Sequence, residues 1–466
     1  MYGIMKRHLE ARARDRNPIR VGFVGAGRMG SGAICQIGLM AGMQTSVIAD
    51  LDRERAARAF ELAGRRREDI VFTNRAGAAE DALRASRPVV TESAELVCTV
   101  GVEAVVDATG VPDVGARVAM QTIMAGKHAV MLNVETDVAI GPILHQMAER
   151  AGVVYTVASG DEPGLIAEFY DRYSLLGFEV VAVGKAASSL AKFDPYSTPA
   201  SVAEDARRAG INPHFLVTFR DGTKTMIEMA AVSNYTGLVP DVPGMHGPVA
   251  GVEEIVRLFR PKSEGGILNR RGVVDYARPL LTADGKIDFH RNVTPGVFLL
   301  LYAGPQQIRD DLDYLDVTGA DGYYNLYTPY HLVTNELPLS IAAAVLEHHP
   351  TVYARHGLVT EVTGVAKRNL KSGEIIDGLG GAMLYGSNDL AERAKARRQV
   401  PMCLLPDARL LRDVAKDEVI TYDMVALDTG TTLYHLRALQ DAGHAGVAAE
   451  ASAAEPQTRE LEETAA

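Results

Sequence analysis

The segment Gly25-Ala26-Gly27-Arg28-Met29-Gly30 carries the plainest chemistry in this chain, because it stands between the apolar run VGFV and a helical stretch. In that setting Gly25 permits a tight turn, Gly27 lets the backbone approach a pyrophosphate, and Gly30 lets the helix pack closely on the strand. Arg28 and Met29 open the helix, whose amino terminus offers unpaired N–H donors to phosphate. Asp50, twenty residues beyond Gly30, closes the next β-rich run, TSVIAD. A carboxylate there accepts hydrogen bonds from ribose hydroxyls and repels a 2′-phosphate, so it favours NAD. Arg53 and Arg55 pull the other way, since a nearby arginine accommodates the phosphate of NADP; the plain alternative is that both sit on a solvated helix start. The expected cofactor is NAD or NADP, with NAD favoured by Asp50. Asp107, Thr109 and Gly110 close the run EAVVDATG, and Asn133 and Glu135 close HAVMLNVE. Ligands of doubly wound sheets lie beyond the carboxyl ends of the strands, which puts these residues near a nicotinamide, with turn chemistry alone as the other reading of Asn133 and Glu135.

Hydride transfer to a carbonyl leaves negative charge on oxygen, and a cation or acid must stabilise and protonate it. Lys224, in Asp221-Gly222-Thr223-Lys224, is expected to follow a strand and begin a helix, as acid or electrostatic stabiliser. Asp221 is expected to orient it and Glu228, one turn on, to face the same side. The structural alternative is a helix start capped by Asp221 with Lys224 in solvent. Lys185 is the second lysine candidate. Asp161 and Glu162 form an acidic pair in a Gly-flanked turn, suited to ordering substrate hydroxyls or a divalent metal. No HxxE, HxH or HExxH spacing marks a metal site, so the metal is left unknown. His246, in Met245-His246-Gly247-Pro248, and His331, after Tyr330, are candidates for substrate binding. The Tyr323, Tyr324 and Tyr327 run reads as core or subunit interface.

Positioning these groups requires an alternation of strands and helices, which implies a parallel sheet. A charged lead-in helix over 1–18 ends at Asn17-Pro18. Residues 19–165 read as a dinucleotide-binding domain with a Rossmann-type, doubly wound parallel sheet. Residues 166–355 read as an α+β substrate and oligomerisation domain, in which FEVVAVGK and NPHFLVTFRDGTK are expected strands. Residues 356–433, with short β runs and Gly or Pro turns, form a small, mostly β unit. The Ala- and Glu-rich end, 442–466, is expected to be a disordered acidic tail.

The chain has 466 residues and a net charge of −11, so it holds more than one core and lacks the basic face that phosphate backbones require. Three scattered cysteines without CxxC spacing argue against disulfides or structural zinc and for a reducing compartment. No stretch approaches the ~20 apolar residues of a membrane span. The expectation is a cytoplasmic protein whose partner is a small molecule, not a nucleic acid or a membrane.

Beyond VGFVGAGRMG, the specific runs are Gly160-Asp161-Glu162-Pro163-Gly164, FRDGTKTMIEMA from Phe219, GLVPDVPGMHGP from Gly237, YTPYHLVTNELPLS from Tyr327 and AKRNLKSGEIIDGLGG from Ala366. Together these resemble a homoserine dehydrogenase-like oxidoreductase family with a carboxyl-terminal SAF domain, over nearly all of Ile19 to Leu433. That resemblance implies catalytic lysine and acid groups around Lys224, an SAF-like last domain and a homodimer. The family includes deoxyxylulose-phosphate reductoisomerase-like enzymes, which make methylerythritol phosphate with NADPH. Relatives carry Lys-Gly-Lys-Asn-Asn where this chain reads Lys185-Ala186-Ala187-Ser188-Ser189, which argues for a different or unphosphorylated substrate. Three functions stay open. The first is an NAD(P)-dependent oxidoreductase acting on a hydroxylated carbonyl or sugar-derived compound; the others are that reductoisomerase, and a non-enzymatic nucleotide- or carbohydrate-binding protein.

Overall fold

A computed structural model of the protein describes residues 2–453. The helix Tyr2–Arg14 leads into a seven-stranded sheet of β1 (Ile19–Val24), β2 (Met43–Ala49), β3 (Val71–Phe72), β4 (Val89–Thr91), β5 (Ala104–Asp107), β6 (His128–Met131) and β7 (Tyr155–Val157). Every pairing is parallel and the order is β3-β4-β2-β1-β5-β6-β7, so the winding reverses beside β1. Apart from the half-buried edge strand β3, the strands are mostly apolar and buried on both faces, as helix-covered parallel sheets demand. The doubly wound expectation is met.

A second, mixed sheet contains β8 (Glu179–Ala186), β9 (Val239–Pro240), β10 (Val273–Tyr276), β11 (Gly296–Tyr302), β12 (Gly319–Ala320) and β13 (Tyr323–Thr328), in the order β12-β13-β11-β8-β10-β9. Tyr323 and Tyr324 are core residues, whereas Tyr327 is exposed. The helix Thr223–Thr236 is buried along its whole length. A helix without a solvent face can hold charged side chains only as pairs, and this one carries Lys224 and Glu228.

Small antiparallel pairs, β14 (Thr360–Ala366) with β15 (Leu384–Leu390) and β16 (Arg409–Leu410) with β17 (Val425–Ala426), make up the last unit. It leans on the buried helix. Gly386 N–H donates to Thr223 Oγ1, and Val359 and Thr360 N–H both donate to Asn234 Oδ1.

Three expectations change. Residues 213–220 are a helix, not a strand: Asn212 caps it by accepting from His214 N–H, and Pro213 stands at its first turn, local signals that override the β-branched and aromatic content. The helix Val333–Glu347, expected within the substrate domain, buries Leu337, Ile341 and Ala342 in the same core as Ile19 and Phe23, and so belongs to the nucleotide unit. The final helix runs Thr432–Ala453, replacing the expected disordered tail over 442–453; residues 454–466 lie outside the described residues. Leu433 and Leu436 are buried, Leu433 N–H donates to Asp113, and Gln440 receives Ile143 N–H, which ties the helix to the nucleotide unit.

Candidate active site

The glycine fingerprint folds as its spacing requires. Gly25 has φ +96°, and a Cβ there would meet the Ala108 carbonyl at 2.8 Å; a Cβ on Gly30 would come within 2.3 Å of the Gly25 carbonyl. Gly27, by contrast, has nothing within 4 Å of a Cβ and precedes the helix Arg28–Gly38, leaving open space at a helix amino terminus. Arg28 is exposed and Met29 half-buried at that terminus.

Asp50 sits beneath this loop, but its carboxylate is already engaged. It accepts from Ala26 N–H at 2.7 Å, Asp52 N–H at 2.8 Å, and Arg55 Nη2 at 2.6 Å and Nε at 3.2 Å. Burial pushes the group up, yet the hydrogen bonds from Arg55 and the two amides outweigh it and hold the carboxyl below its usual range. The preference for NAD presumed a carboxylate with no cation on it; here Arg55, its side chain 51% exposed, covers that charge. Arg53 stacks over Phe72 at 5.2 Å.

Asp107 and Asn133 face inward. Asn133 caps its helix through Thr136 N–H and donates to Asp107 Oδ2 at 3.0 Å, while Asp107 Oδ1 accepts Thr109 N–H. Burial raises the Asp107 carboxyl to about 6. The turn-chemistry reading therefore describes Asn133, and the Thr109-Gly110 backbone lies at the sheet edge beyond β5. Glu135 does something else: its Oε1 lies 3.0 Å from Lys224 Nζ, reaching across from the nucleotide unit to the buried helix.

Around that contact the sequence-distant charges converge. Lys185, near the end of β8 and 0% exposed, has its ammonium 2.6 Å from Glu162 Oε1 and bonded to Glu228. Lys224 pairs with Glu135 and lies 3.7 Å from Glu228. Burial would strip the proton from either lysine, but the flanking carboxylates outweigh it, so both ammoniums are held well above the ordinary lysine range. Burial likewise pushes Glu162 up, yet Lys185 and His331 win and hold it far below the usual carboxylate range. Asp161 moves the opposite way, raised by burial and by the like charges of Glu162 and Glu228. An adjacent acid pair with opposed shifts has the form of a proton donor beside a fixed anion. Asp161, Glu162 and His331 place their donor atoms within 4.8 Å of one another, a set able to hold a cation.

Asp221 does not orient Lys224. It ends the preceding helix, bonds Thr223 N–H, and pairs with Lys367 of the β unit at 2.9 Å, a partner that local spacing does not reveal. Lys224 thus follows a helix, not the expected strand. His246 is bonded to Asp241 Oδ2 at 2.7 Å, and no ion pair or hydrogen bond described for it reaches the lysines. Lys367, and Cys403, whose thiol donates to the Glu135 carbonyl, lay outside the candidate set, because only the tertiary fold brings them to the site.

A phosphate-binding loop open at Gly27 belongs to a Rossmann-type nucleotide fold, and beyond the carboxyl ends of β6 and β7 lies a floor of paired lysines. Residues 160–337 match the family model for the catalytic domain of oxidoreductase DRL, the stretch that holds every floor residue except Glu135. Among solved structures, the chain is similar to 1-deoxy-D-xylulose 5-phosphate reductoisomerase from Zymomonas mobilis in complex with NADPH. Identity there is 15%, over 45% of this chain and 57% of that one, with a TM-score of 0.32. It is also similar to scyllo-inositol dehydrogenase from Lactobacillus casei with bound NAD(H) and scyllo-inositol, at 12% identity over 73% of this chain and 93% of that one, TM-score 0.39. No curated protein matches the sequence.

Proposed function

We propose that this protein is an NAD(P)-dependent oxidoreductase that moves a hydride between the nicotinamide and a CH–OH group, or its carbonyl, on a small hydroxylated compound. The observation that carries the reading is the Lys224–Glu135 contact, which fixes a protonated ammonium at the edge where the nicotinamide half of a dinucleotide would lie. An ammonium so strongly held is a poor proton donor. Lys224 and Lys185 therefore stabilise charge developing on the substrate oxygen, and the raised Asp161 carboxyl supplies or takes the proton.

Arg55, lying on Asp50 with half its surface open, supports NADP(H) over NAD(H), because a 2′-phosphate would find a guanidinium where the ribose carboxylate of an NAD enzyme stands. The test is thermal shift and titration with NAD, NADH, NADP and NADPH, followed by a screen of hydroxylated carbonyl compounds for nucleotide oxidation. Selective stabilisation by an NADP form supports the reading; absence of stabilisation by all four defeats it.

A reductoisomerase is the second reading, favoured by the match of residues 160–337 to the oxidoreductase DRL catalytic domain. Against it stands the loop after β8, where Lys192 is tied to Asp205 at 3.1 Å. Turnover of 1-deoxy-D-xylulose 5-phosphate with NADPH decides between them.

A further inference from the structure

Pro142 stands inside the helix Val134–Ala151. Having no N–H, it leaves the Val138 carbonyl without its helical donor, and its ring crowds that turn. Glu135 lies in the first turn of the same helix, on the amino-terminal side of the break.

The groups that flank the break are met from the far end of the chain. Gln440, 2% exposed on the last helix, donates its Nε2 to the Ala139 carbonyl at 3.2 Å and accepts Ile143 N–H on its Oε1 at 3.1 Å. Ala139 and Ile143 supply the carbonyl and the N–H that an unbroken helix joins to each other, so one side-chain amide is seated on the rung next to Pro142. Arg437, one turn earlier on the last helix, donates Nη1 to the same Ala139 carbonyl at 3.2 Å. Nearer the helix start, the Cys403 thiol donates to the Glu135 carbonyl at 3.3 Å.

Arg437 has a second partner. Its Nη2 lies 2.6 Å from Glu361 Oε2 on β14. That strand is bonded in turn to the buried helix Thr223–Thr236, where Val359 and Thr360 N–H donate to Asn234 and the Thr360 hydroxyl meets that of Ser233. One guanidinium, 8% exposed, therefore joins the helix that carries Glu135 to the strand that backs the helix carrying Lys224, and the two carried charges meet at 3.0 Å. Fixing the register between two elements is the best-attested use of a buried ion pair.

We propose that Gln440 and Arg437 are positioning residues for the proposed hydride transfer. By seating the first two turns of the Val134–Ala151 helix against β14, they hold Glu135 on Lys224 and so hold the ammonium at the nicotinamide edge. The part about hydride transfer rests on the oxidoreductase reading; the seating of Glu135 does not.

The test compares the full chain with Gln440→Met, which keeps the length of the side chain and loses both bonds. In crystals of the variant, Glu135 Oε1 should stand beyond about 4 Å from Lys224 Nζ, the limit of an ion pair. With a carbonyl compound that the parent reduces, kcat should fall about tenfold to a hundredfold while KM for NADPH stays within about twofold, since the nucleotide loop is untouched. The alkaline limb of the kcat profile should move to lower pH, because Lys224 loses one of the carboxylates that hold its proton while Glu228 and Asp161 remain. A loss of packing alone would lower the folded fraction and leave KM and the pH profile where they were. Arg437→Lys keeps a cation beside Glu361 and gives up the fork; it should lower kcat in the same sense by about threefold, and it carries the test if Gln440→Met does not fold. Glu135 still bonded to Lys224 in Gln440→Met, or kcat and pH profile unchanged in both variants, would overturn the positioning role. Separation of the pair in the variant of a chain that takes up no nicotinamide nucleotide would remove the oxidoreductase reading and leave the seating of Glu135 standing.

Discussion

The two ends of the cleft are built by different physics. At the nucleotide end, short-range backbone geometry does the work: positive φ at Gly25, close approach at Gly30 and open space at Gly27, all within six residues. At the charged end, Glu135, Asp161-Glu162, Lys185, Lys224-Glu228 and His331 arrive on separate segments and are held by charge. Backbone dipoles are paired by local structure at little cost, whereas buried ions need partners in good geometry. A change at the first end should therefore cost binding, and a change at the second should cost stability as well as chemistry.

The sharpest break of that contrast is Lys185→Met. Removing the ammonium leaves Glu162 and Glu228 buried without their shared partner, and the unfolding free energy in urea should fall by about 3–5 kcal/mol. A loss below about 1 kcal/mol would mean that the floor is not held by charge.

Next is a pH effect inside the nucleotide unit. Asp137 is buried against the Tyr155 hydroxyl at 3.1 Å, with no cation bonded to it among the described residues, and burial raises its carboxyl to about 7. The folded state then holds a proton that the unfolded chain gives up near pH 4. Stability from this group is fully present below about pH 4 and is lost as pH rises through about 7, by at most about 1.4 kcal/mol per unit. Asp137→Asn should flatten the fall in melting temperature over that window; an unchanged slope would show that Asp137 is ionised throughout.

The smallest effect expected is at the ribose corner. Arg55→Ala should weaken NADPH about tenfold, or about 1.4 kcal/mol, and leave NADH within about twofold. Equal losses for both nucleotides would make Arg55 a partner of Asp50 only.

The same contrast explains what the sequence made legible. The nucleotide loop, β1, β2, β5, β6 and the chemically important residue types could be read because their signals are local. Lys185, Lys224, Glu228, Asp161, Glu162 and His331 were recognisable as candidates, but apart from Lys224 with Glu228 one turn on their pairings were not, since nothing near Lys224 indicates that Glu135 will meet it from another unit. Asp221 shows the hazard of local inference: its neighbour in sequence is Lys224, while its partner in space is Lys367. Residues 213–220 misled through β-branched and aromatic content, although Asn212-Pro213 already marked a helix start. The helix Val333–Glu347 could not be assigned to the nucleotide unit without the tertiary fold, because an apolar face does not name the surface it will cover.

The most direct test of the central claim is NADPH binding, followed by nicotinamide fluorescence, to the parent chain and to Gly30→Ala. A Cβ at that position would meet the Gly25 carbonyl at 2.3 Å and push the loop out of shape. Saturable binding by the parent, lost in Gly30→Ala while the variant stays folded by circular dichroism, is the result predicted. No saturable binding by the parent, or equal binding by the variant, would contradict the account.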